Sequence, residues 1–386
     1  MPKQNAAKPL KIGLVLDTSL DPPDGVQQYV LAVGEWLHAQ GHDVHYVVGE
    51  TTRTDLQNIH SLAKNIGVRF NGNRTTIPLP TSKRKLKAFL DRQQFDVLHV
   101  QTPHSPFFAQ RLICAASPQT AVVATFHVLP DGRLPFIGNY VLGWWLRPSL
   151  RRIDQVLSVS PAAAEFARKT FGVVSIVLPN VFDYQLFHEA PALPQYAREE
   201  KLTILFLGRL VPRKGCRYLL EAIAKLDKAA LPSFRVVICG KGPLLPQLQD
   251  FVQEHRLEEV VEFAGFVSET DKPRYYASAD IAVFPSTGGE SFGIVLIEAM
   301  ASGKSTVLAG NNPGYASVMA PQPELLFDPA DTSALAALLS RLLMNAKARQ
   351  VYAAWGSKYT KQFDIEVVGP QLITLYTELL NKKNVQ

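Results

Sequence analysis

Three glycine-containing turns in the second half of the chain each open a helical pattern, and apolar runs typical of buried strands precede the first two. The turns begin at Gly208, Gly240 and Gly288. Strands that alternate with helices in this way form a parallel sheet with helices on both faces. The pattern therefore predicts an α/β fold. It also places the turns at the carboxyl ends of strands, where open α/β sheets bind ligands.

The third turn carries two glutamates, Glu290 and Glu298, and the apolar stretch Ile294–Met300 predicts the start of a buried helix. Free N–H groups and the positive dipole at a helix start bind anions. Carboxylates repel an anion but accept hydrogen bonds from hydroxyl groups. A phosphate and a polyol at one helix start indicate a nucleotide sugar, and a capped helix with two incidental glutamates is the alternative.

The first turn follows the predicted strand Leu202–Leu207 and contains Arg209 and Lys214. A guanidinium fork and an ammonium group together suit a diphosphate, whereas two solvated surface cations are the plainer interpretation. The second turn, GKGP from Gly240, is weak evidence by itself. Three such turns in one half of the chain are stronger evidence for a ligand site than any one of them.

The composition indicates a globular protein of two domains. The chain has 386 residues, of which 47% are hydrophobic and 19% charged, and each domain is large enough to bury its own core. Three scattered cysteines, Cys114, Cys216 and Cys239, predict reduced thiols and a cytoplasmic protein without a disulfide framework or zinc site. No secretory signal and no apolar stretch of about 18 residues is found, so no membrane span is predicted.

Strands and helices also alternate through the first half. The stretch 50–80 is polar and is predicted to be a loop, and 179–200 is predicted to be an interdomain linker. We expect a first domain over 1–185 and a second over 200–360, facing each other across a cleft. A last helix, about 366–380, is predicted to follow a separating segment at 356–364. The strands predicted in the first half are 11–17, 43–48, 95–101, 120–125 and 154–160.

The motifs GGESFGIVLIEAMASG, GRLVPRKG and GKGP resemble those of the retaining glycosyltransferases of family 4, which share the GT-B fold of two Rossmann-like, doubly wound domains. The segments DPPDGVQ, FDVLHV and ATFH of the first half fit the same family. Within it, the chain most resembles the phosphatidyl-myo-inositol mannosyltransferases. The resemblance implies an acceptor-side first domain, a nucleotide-sugar-binding second domain, and a C-terminal helix, about 365–386, that crosses back to the first domain.

The resemblance also implies roles for single residues. Arg209 and Lys214 would stabilise the leaving diphosphate, since no dedicated enzymatic nucleophile is implied. Glu290 would bind hydroxyls of the donor sugar, and Glu298 the ribose. The other implied donor-binding positions are the backbone N–H groups of Phe292, Gly293 and Ile294, the nucleotide neighbours Gly242 and Val267, and Gly25 near the diphosphate.

His127 ends the predicted strand 120–126, and the resemblance implies that it makes a hydrogen bond near the reacting sugar. Without the resemblance a histidine after a strand is more often structural, which is the interpretation we keep for His99 and His104. No DxD triplet occurs, so we expect no bound metal, and no cofactor is implied. The chain has Asp24-Gly25 where the family usually has two glycines, and a carboxylate there is unfavourable beside a diphosphate unless it faces away.

Two segments of the first half suggest contact with a membrane. Within residues 60–95 eight cations stand against Asp91, four of them in Lys83–Lys87; the alternative is a solvated basic helix. The run Phe136–Leu146 is apolar and aromatic and is followed by three arginines. That run suits the headgroup boundary of an anionic bilayer, or a helix of the domain core. Aromatic residues are not interleaved with the cations, so nucleic acid is not an expected partner.

We therefore predict a retaining glycosyltransferase that moves a hexose from a nucleotide-diphosphate sugar to a hydroxyl acceptor. The specific expectation is transfer of mannose from GDP-mannose to an inositol phospholipid. The protein would be cytoplasmic and peripheral on the inner face of the cell membrane. Three alternatives remain: a UDP-glucose or UDP-N-acetylglucosamine transferase with a soluble acceptor, a GT-B nucleotide-sugar epimerase, and a non-catalytic sugar-nucleotide binder.

Overall fold

A computed structural model describes residues 8–21, 24–70, 73–129, 133–196 and 201–385, with the side chains of 68–75 and 133–137 outside the description. Arg69, Arg74, Phe136 and Ile137, which belong to the two predicted membrane segments, are among those side chains. The chain divides into two units. Unit 1 contains the chain up to Val181 and again from Ile365, and unit 2 contains Phe182–Asp364.

The strands of the described chain are β1 (Lys11–Leu16), β2 (Asp43–Val48), β3 (Ile59–Ser61), β4 (Asn65–Phe70), β5 (Asn73–Pro78), β6 (Val97–Val100), β7 (Ala121–Phe126), β8 (Gln155–Ser158), β9 (Ile176–Val177), β10 (Leu202–Leu207), β11 (Phe234–Cys239), β12 (Val261–Gly265), β13 (Ile281–Phe284), β14 (Thr306–Gly310) and β15 (Leu326–Phe327). The helices are α1 (Gly25–Ala39), α2 (Lys83–Gln93), α3 (Ala109–Ala115), α4 (Arg133–Leu150), α5 (Pro161–Phe171), α6 (Tyr184–His188), α7 (Cys216–Ala224), α8 (Leu245–Glu254), α9 (Lys272–Ser278), α10 (Ile294–Ala301), α11 (Pro313–Met319), α12 (Thr332–Met344), α13 (Ala346–Thr360) and α14 (Ile365–Val385).

Unit 1 is built on a parallel sheet with the order β3-β2-β1-β6-β7-β8-β9. The order reverses at β1, where Ile12 lies opposite Val44 of β2 on one side and Val97 of β6 on the other. This is the doubly wound arrangement, in which helices cover both faces of the sheet. The strands are accordingly continuous apolar runs, and the predicted α/β class is confirmed.

The last helix, α14, completes the core of unit 1. Leu372 and Tyr376 are fully buried there with Leu14 of β1 and Val33 of α1. The Tyr376 hydroxyl also hydrogen-bonds Nδ1 of His99 at 2.7 Å. Because a fully buried large apolar side chain is worth about 1.5–3 kcal/mol, α14 contributes several kcal/mol to a unit whose other residues lie in the first half of the chain.

Unit 2 repeats the plan with the order β12-β11-β10-β13-β14-β15. Here the reversal falls at β10, where Ile204 lies opposite Val236 of β11 and Ile281 of β13. The three turns singled out in the sequence follow β10, β11 and β13, so all of them lie at the carboxyl edge of this sheet. Ligands of doubly wound sheets bind at this edge, beside the reversal.

The prediction of a loop over 50–80 is wrong, because the segment contains β3 and an antiparallel hairpin of β4 and β5. Ile66 and Ile77 of the hairpin remain 47% and 38% exposed. A ribbon that buries so little apolar surface lacks the strong hydrophobic pattern from which a strand is predicted.

The predictions of an interdomain linker and of a separating segment before the last helix are also wrong. The linker predicted at 179–200 contains α6, which belongs to unit 2, with the ring of Phe187 lying 6.0 Å from that of Tyr276. The separation predicted at 356–364 is occupied by the end of α13. Gly356 lies inside that helix, where a Cβ would come within 2.9 Å of the Met300 side chain. A glycine marks close packing here, not the end of a helix.

Candidate active site

Glu290 is the centre of a compact ionic cluster after β13. Its Oε1 accepts hydrogen bonds from Nη1 of Arg213 at 2.7 Å, from Nζ of Lys214 at 2.8 Å and from the Ser286 hydroxyl at 2.9 Å. Burial alone would raise the pKa of Glu290, but the charges of Lys214 and Arg213 outweigh it and hold this pKa below its usual value. The carboxylate is therefore ionised at neutral pH, and its position is fixed by three donors.

The loop and helix that present Glu290 depend on glycine. Gly293 has a φ of 111°, in the region that favours glycine, and a Cβ there would come within 2.6 Å of the Tyr315 ring. α10 begins at the next residue, Ile294. The N–H groups of the first helical turn therefore lie beside the cluster, where they can bind an anion. Phe292 is different: its ring is 4% exposed and packs edge-on against Phe363 at 5.5 Å, so only its backbone is available to a ligand.

The charge balance of the cluster around Glu290 is positive. Arg209 and Lys214 follow β10, and Arg213 lies between them in sequence, so three cations accompany the single carboxylate of Glu290. Lys214 and Arg213 keep only 16% and 17% of their side chains exposed. Charges with so little exposure to water act strongly on a bound anion. The cluster can therefore stabilise a phosphate group while Glu290 accepts hydrogen bonds from hydroxyls.

Glu298 occupies the buried side of α10 and is 2% exposed. Its Oε1 accepts from Nζ of Lys272 at 2.8 Å and its Oε2 from the Tyr276 hydroxyl at 3.2 Å. Burial lowers the pKa of Lys272, but the carboxylates of Glu298 and Glu269 outweigh it and hold the pKa above its usual value. A carboxylate has about four lone-pair positions, so Glu298 retains capacity for further donors.

The remaining predicted donor-binding residues of unit 2 lie on the neighbouring turns. Gly242 follows β11, and a Cβ there would lie 2.2 Å from the carbonyl oxygen of Leu210, so the two turns are in close contact. Val267 follows β12. Beside it the ring of Phe266 is 56% exposed and faces the ammonium group of Lys241 at 5.1 Å. An exposed aromatic face of this kind can stack on a planar base.

The predicted residues of unit 1 lie at the carboxyl edge of the other sheet. Gly25 is the first residue of α1, and His127 directly follows β7. The ring of Tyr29 on α1 packs edge-on against that of His127 at 4.8 Å. Nε2 of His127 lies 2.8 Å from Oε1 of Gln101, which directly follows the neighbouring strand β6. His99 is fully buried between Thr125 and Tyr376, with both ring nitrogens engaged at 2.7 Å, and is structural.

Sequence reasoning missed several residues of these clusters. Arg213 stood within the GRLVPRKG motif but gave no signal that separated it from Lys214. Lys272 and Tyr276 lie on α9, far in sequence from the Glu298 that they contact, and Gln101 is an ordinary strand-end residue. Among the described residues no group of three His, Cys, Asp or Glu side chains is placed to hold a metal ion. No helix in that part of the chain has the length and apolarity needed to cross a bilayer.

Comparison with known proteins agrees with the fold of the two units. The family model "Glycosyltransferase Family 4" matches residues 23–186, and "Glycosyl transferases group 1" matches residues 193–359. The phosphatidyl-myo-inositol mannosyltransferase of Mycolicibacterium smegmatis is 33% identical over 373 residues, covering 95% of this chain and 93% of the relative. That of Propionibacterium freudenreichii is 31% identical over 385 residues, with 95% of each chain covered. The solved structure of Anabaena HepE in complex with UDP has a TM-score of 0.76 at 17% identity, covering 96% of this chain and 100% of the other.

The two sheets, their carboxyl-edge turns and these relatives define a glycosyltransferase of the GT-B fold, so the predicted fold is confirmed. The chain belongs to family 4 of the glycosyltransferases and is an enzyme that transfers a sugar.

Proposed function

We propose that the protein transfers mannose, with retention of configuration, from GDP-mannose to a hydroxyl of an inositol phospholipid. The observation that carries the proposal is the Arg213–Lys214–Glu290 cluster at the start of α10. It unites cations for a leaving diphosphate with an ionised carboxylate for sugar hydroxyls. The relatives named phosphatidyl-myo-inositol mannosyltransferase, which match 95% of the chain, support mannose and the lipid acceptor.

In the proposed step the bond between the anomeric carbon and the β-phosphate oxygen breaks while the acceptor oxygen bonds to the same face of that carbon. The acceptor proton passes to the departing phosphate oxygen. Negative charge develops on the diphosphate, so Arg209, Lys214 and the N–H groups at the start of α10 stabilise the transition state more than the ground state. Glu290 orients the sugar, and Glu298, with Gly242 and Val267 nearby, binds the nucleoside.

A guanine base is favoured by the carboxylate of Glu269. This residue follows Val267 by two positions and pairs with Lys272, which in turn pairs with Glu298. The Glu269 carboxylate is 46% exposed. Guanine presents two adjacent donors, N1–H and the N2 amino group, to such a carboxylate, whereas uracil presents a single N–H between two carbonyl oxygens. Substitution Glu269→Gln should therefore weaken GDP binding, and UDP, which we expect to bind more weakly than GDP, should bind equally to both proteins.

A lipid acceptor requires contact with a membrane, and we assign that contact first to α2. The helix buries Leu86, Phe89 and Leu90 and leaves the four cations of its first two turns exposed. Those cations are Lys83, Arg84, Lys85 and Lys87. Each cation near an anionic leaflet is worth about 1 kcal/mol, so this helix alone gives a reversible, salt-sensitive attraction.

The proposal is tested by assaying transfer to phosphatidylinositol vesicles from GDP-mannose, UDP-glucose and UDP-N-acetylglucosamine in parallel. We expect turnover with GDP-mannose, an α-linked product by NMR, and full activity in excess EDTA. Transfer from a UDP-sugar to a soluble alcohol would show that the proposed donor and the proposed acceptor are both wrong. Release of an epimerised sugar without any glycoside would identify an epimerase and overturn the proposed reaction.

A further inference from the structure

Helix α4 packs on unit 1 through one face only. Leu146 and Leu150 of this face are buried in a cluster with Phe126, Phe166 and Phe171. Gly143 lies against α5, because a Cβ there would come within 2.4 Å of the carbonyl oxygen of Thr170. This close approach fixes the rotation of α4 about its axis and determines which residues point away from the core.

The opposite face of α4 is aromatic and exposed. Tyr140, Val141, Trp144 and Trp145 are 56%, 62%, 66% and 61% exposed. We call these four residues the α4 aromatic face. They are neighbours on the surface because positions three and four apart lie on one side of a helix. Single exposed apolar residues are common on protein surfaces, but a contiguous exposed apolar patch indicates an interaction site. Two adjacent, largely exposed tryptophans form such a patch.

The charged residues of the segment that carries the α4 aromatic face are all positive. Residues 133–153 contain four arginines and no aspartate or glutamate. Arg147 and Arg151, at the C-terminal end of the helix, are exposed on the outer side. Arg152 is turned inward, where it donates to Asp154 at 3.2 Å. An aromatic surface with cations at one end complements a layer that is apolar inside and anionic at its boundary.

We propose that the α4 aromatic face inserts into the headgroup boundary of an anionic lipid bilayer. Indole and phenol rings combine an apolar body with a polar N–H or O–H group, which suits that boundary. An amphipathic helix with such residues and flanking cations lies in the plane of the interface. The inference rests on the proposed function in one respect: a lipid acceptor requires the enzyme to contact a membrane. It adds to the electrostatic attraction of α2 an apolar insertion that salt does not screen.

The test measures tryptophan fluorescence with vesicles of phosphatidylcholine and phosphatidylglycerol, with and without lipids brominated in the acyl chain. We expect a blue shift and quenching by the brominated lipid in the wild-type protein. The double substitution Trp144→Ser, Trp145→Ser should abolish the quenching and weaken vesicle binding at least tenfold. Trp355→Phe is the matched control, because Trp355 stacks on Tyr359 at 5.1 Å in unit 2 and should be irrelevant to insertion.

Three outcomes would overturn the inference: vesicle binding without quenching, equal binding of the double variant, or a wild-type dimer that the double variant converts to a monomer. The last would make the α4 aromatic face a protein interface. Both changed residues are exposed, and an unaltered thermal shift with GDP will show that the variant is folded. Quenching by brominated lipid together with no transfer to phosphatidylinositol would leave this inference standing and reject the proposed acceptor.

Discussion

Gln101 fixes the protonation of His127. The amide nitrogen of Gln101 donates to the carbonyl oxygen of His99 at 3.3 Å, so its oxygen faces Nε2 of His127 at 2.8 Å. Nε2 must therefore carry a proton. Burial, with His99 and His104 nearby, lowers the pKa of His127 to about 3. His127 is thus a neutral ring at physiological pH that carries its one proton on Nε2.

Substitution Gln101→Glu should give the reaction a new dependence on pH. A carboxylate beside Nε2 raises the pKa of His127, because an opposite charge favours the protonated ring. Below the raised pKa, Nδ1 becomes a donor and kcat/KM should fall, whereas in the wild type the titration of His127 should add no acid limb from pH 5 upward. Gln101→Met, which has a similar size and no charge, is the control. Parallel pH profiles for all three proteins would show that Gln101 only fills space.

Removing the predicted diphosphate cations should slow transfer. Arg209→Ala and Lys214→Ala should each lower kcat by about 10²-fold or more, the usual effect of losing a preorganised charge stabiliser. Lys228, an exposed cation in a short 3-10 helix outside the site, supplies the control Lys228→Ala. Steady-state kinetics with GDP-mannose measures the effect, and near-normal turnover of both site variants would refute the assignment.

Substitution Glu290→Gln should separate the sugar from the nucleotide. The amide cannot match the ionised carboxylate as an acceptor for sugar hydroxyls, so transfer and affinity for the full donor should fall. Free GDP should bind equally well or more tightly, because Lys214 and Arg213 lose a neutralising neighbour. Calorimetric titration with both ligands measures this. An equal loss of affinity for GDP and GDP-mannose would place Glu290 at the nucleotide.

Asp17 should destabilise the fold increasingly as pH rises. It is 2% exposed; Oδ1 accepts from the N–H of Ala109 at 3.0 Å, and Oδ2 has no hydrogen-bond partner in the described chain. Burial raises its pKa well above 3.8. As pH rises past 3.8 the unfolded chain loses this proton while the folded protein keeps it. Stability is then lost at about 1.4 kcal/mol per pH unit until the folded pKa is reached.

Asp17→Asn removes this penalty. The variant should match the wild-type melting temperature near pH 4 and exceed it at neutral pH. Exposed Asp250→Asn is the control and should leave the melting curves superimposed. A variant that is less stable than the wild type at pH 8 would show that the ionised carboxylate is needed in the fold.

The elements that the sequence predicted correctly are strands that are buried along their whole length. β2 lies at its predicted limits and β1 within a residue of them, because buried parallel strands are uninterrupted apolar runs. The exposed hairpin β4–β5 was missed because it lacks that signal. Motifs placed Glu290 and Lys214 correctly at the carboxyl edge. The pairing of Lys272 with Glu298 spans 26 residues and arises from packing of α9 on α10, which no local pattern encodes.

The return of α14 to unit 1 has a consequence for how this chain folds during synthesis. The first sheet emerges from the ribosome early, yet Leu372 and Tyr376 reach its core only after all of unit 2 has been made. Unit 2, whose residues are continuous, can close first. Until then, the groove that α14 fills exposes apolar surface of α1 and β1, and a nascent chain stalled before residue 365 is a natural client for a chaperone.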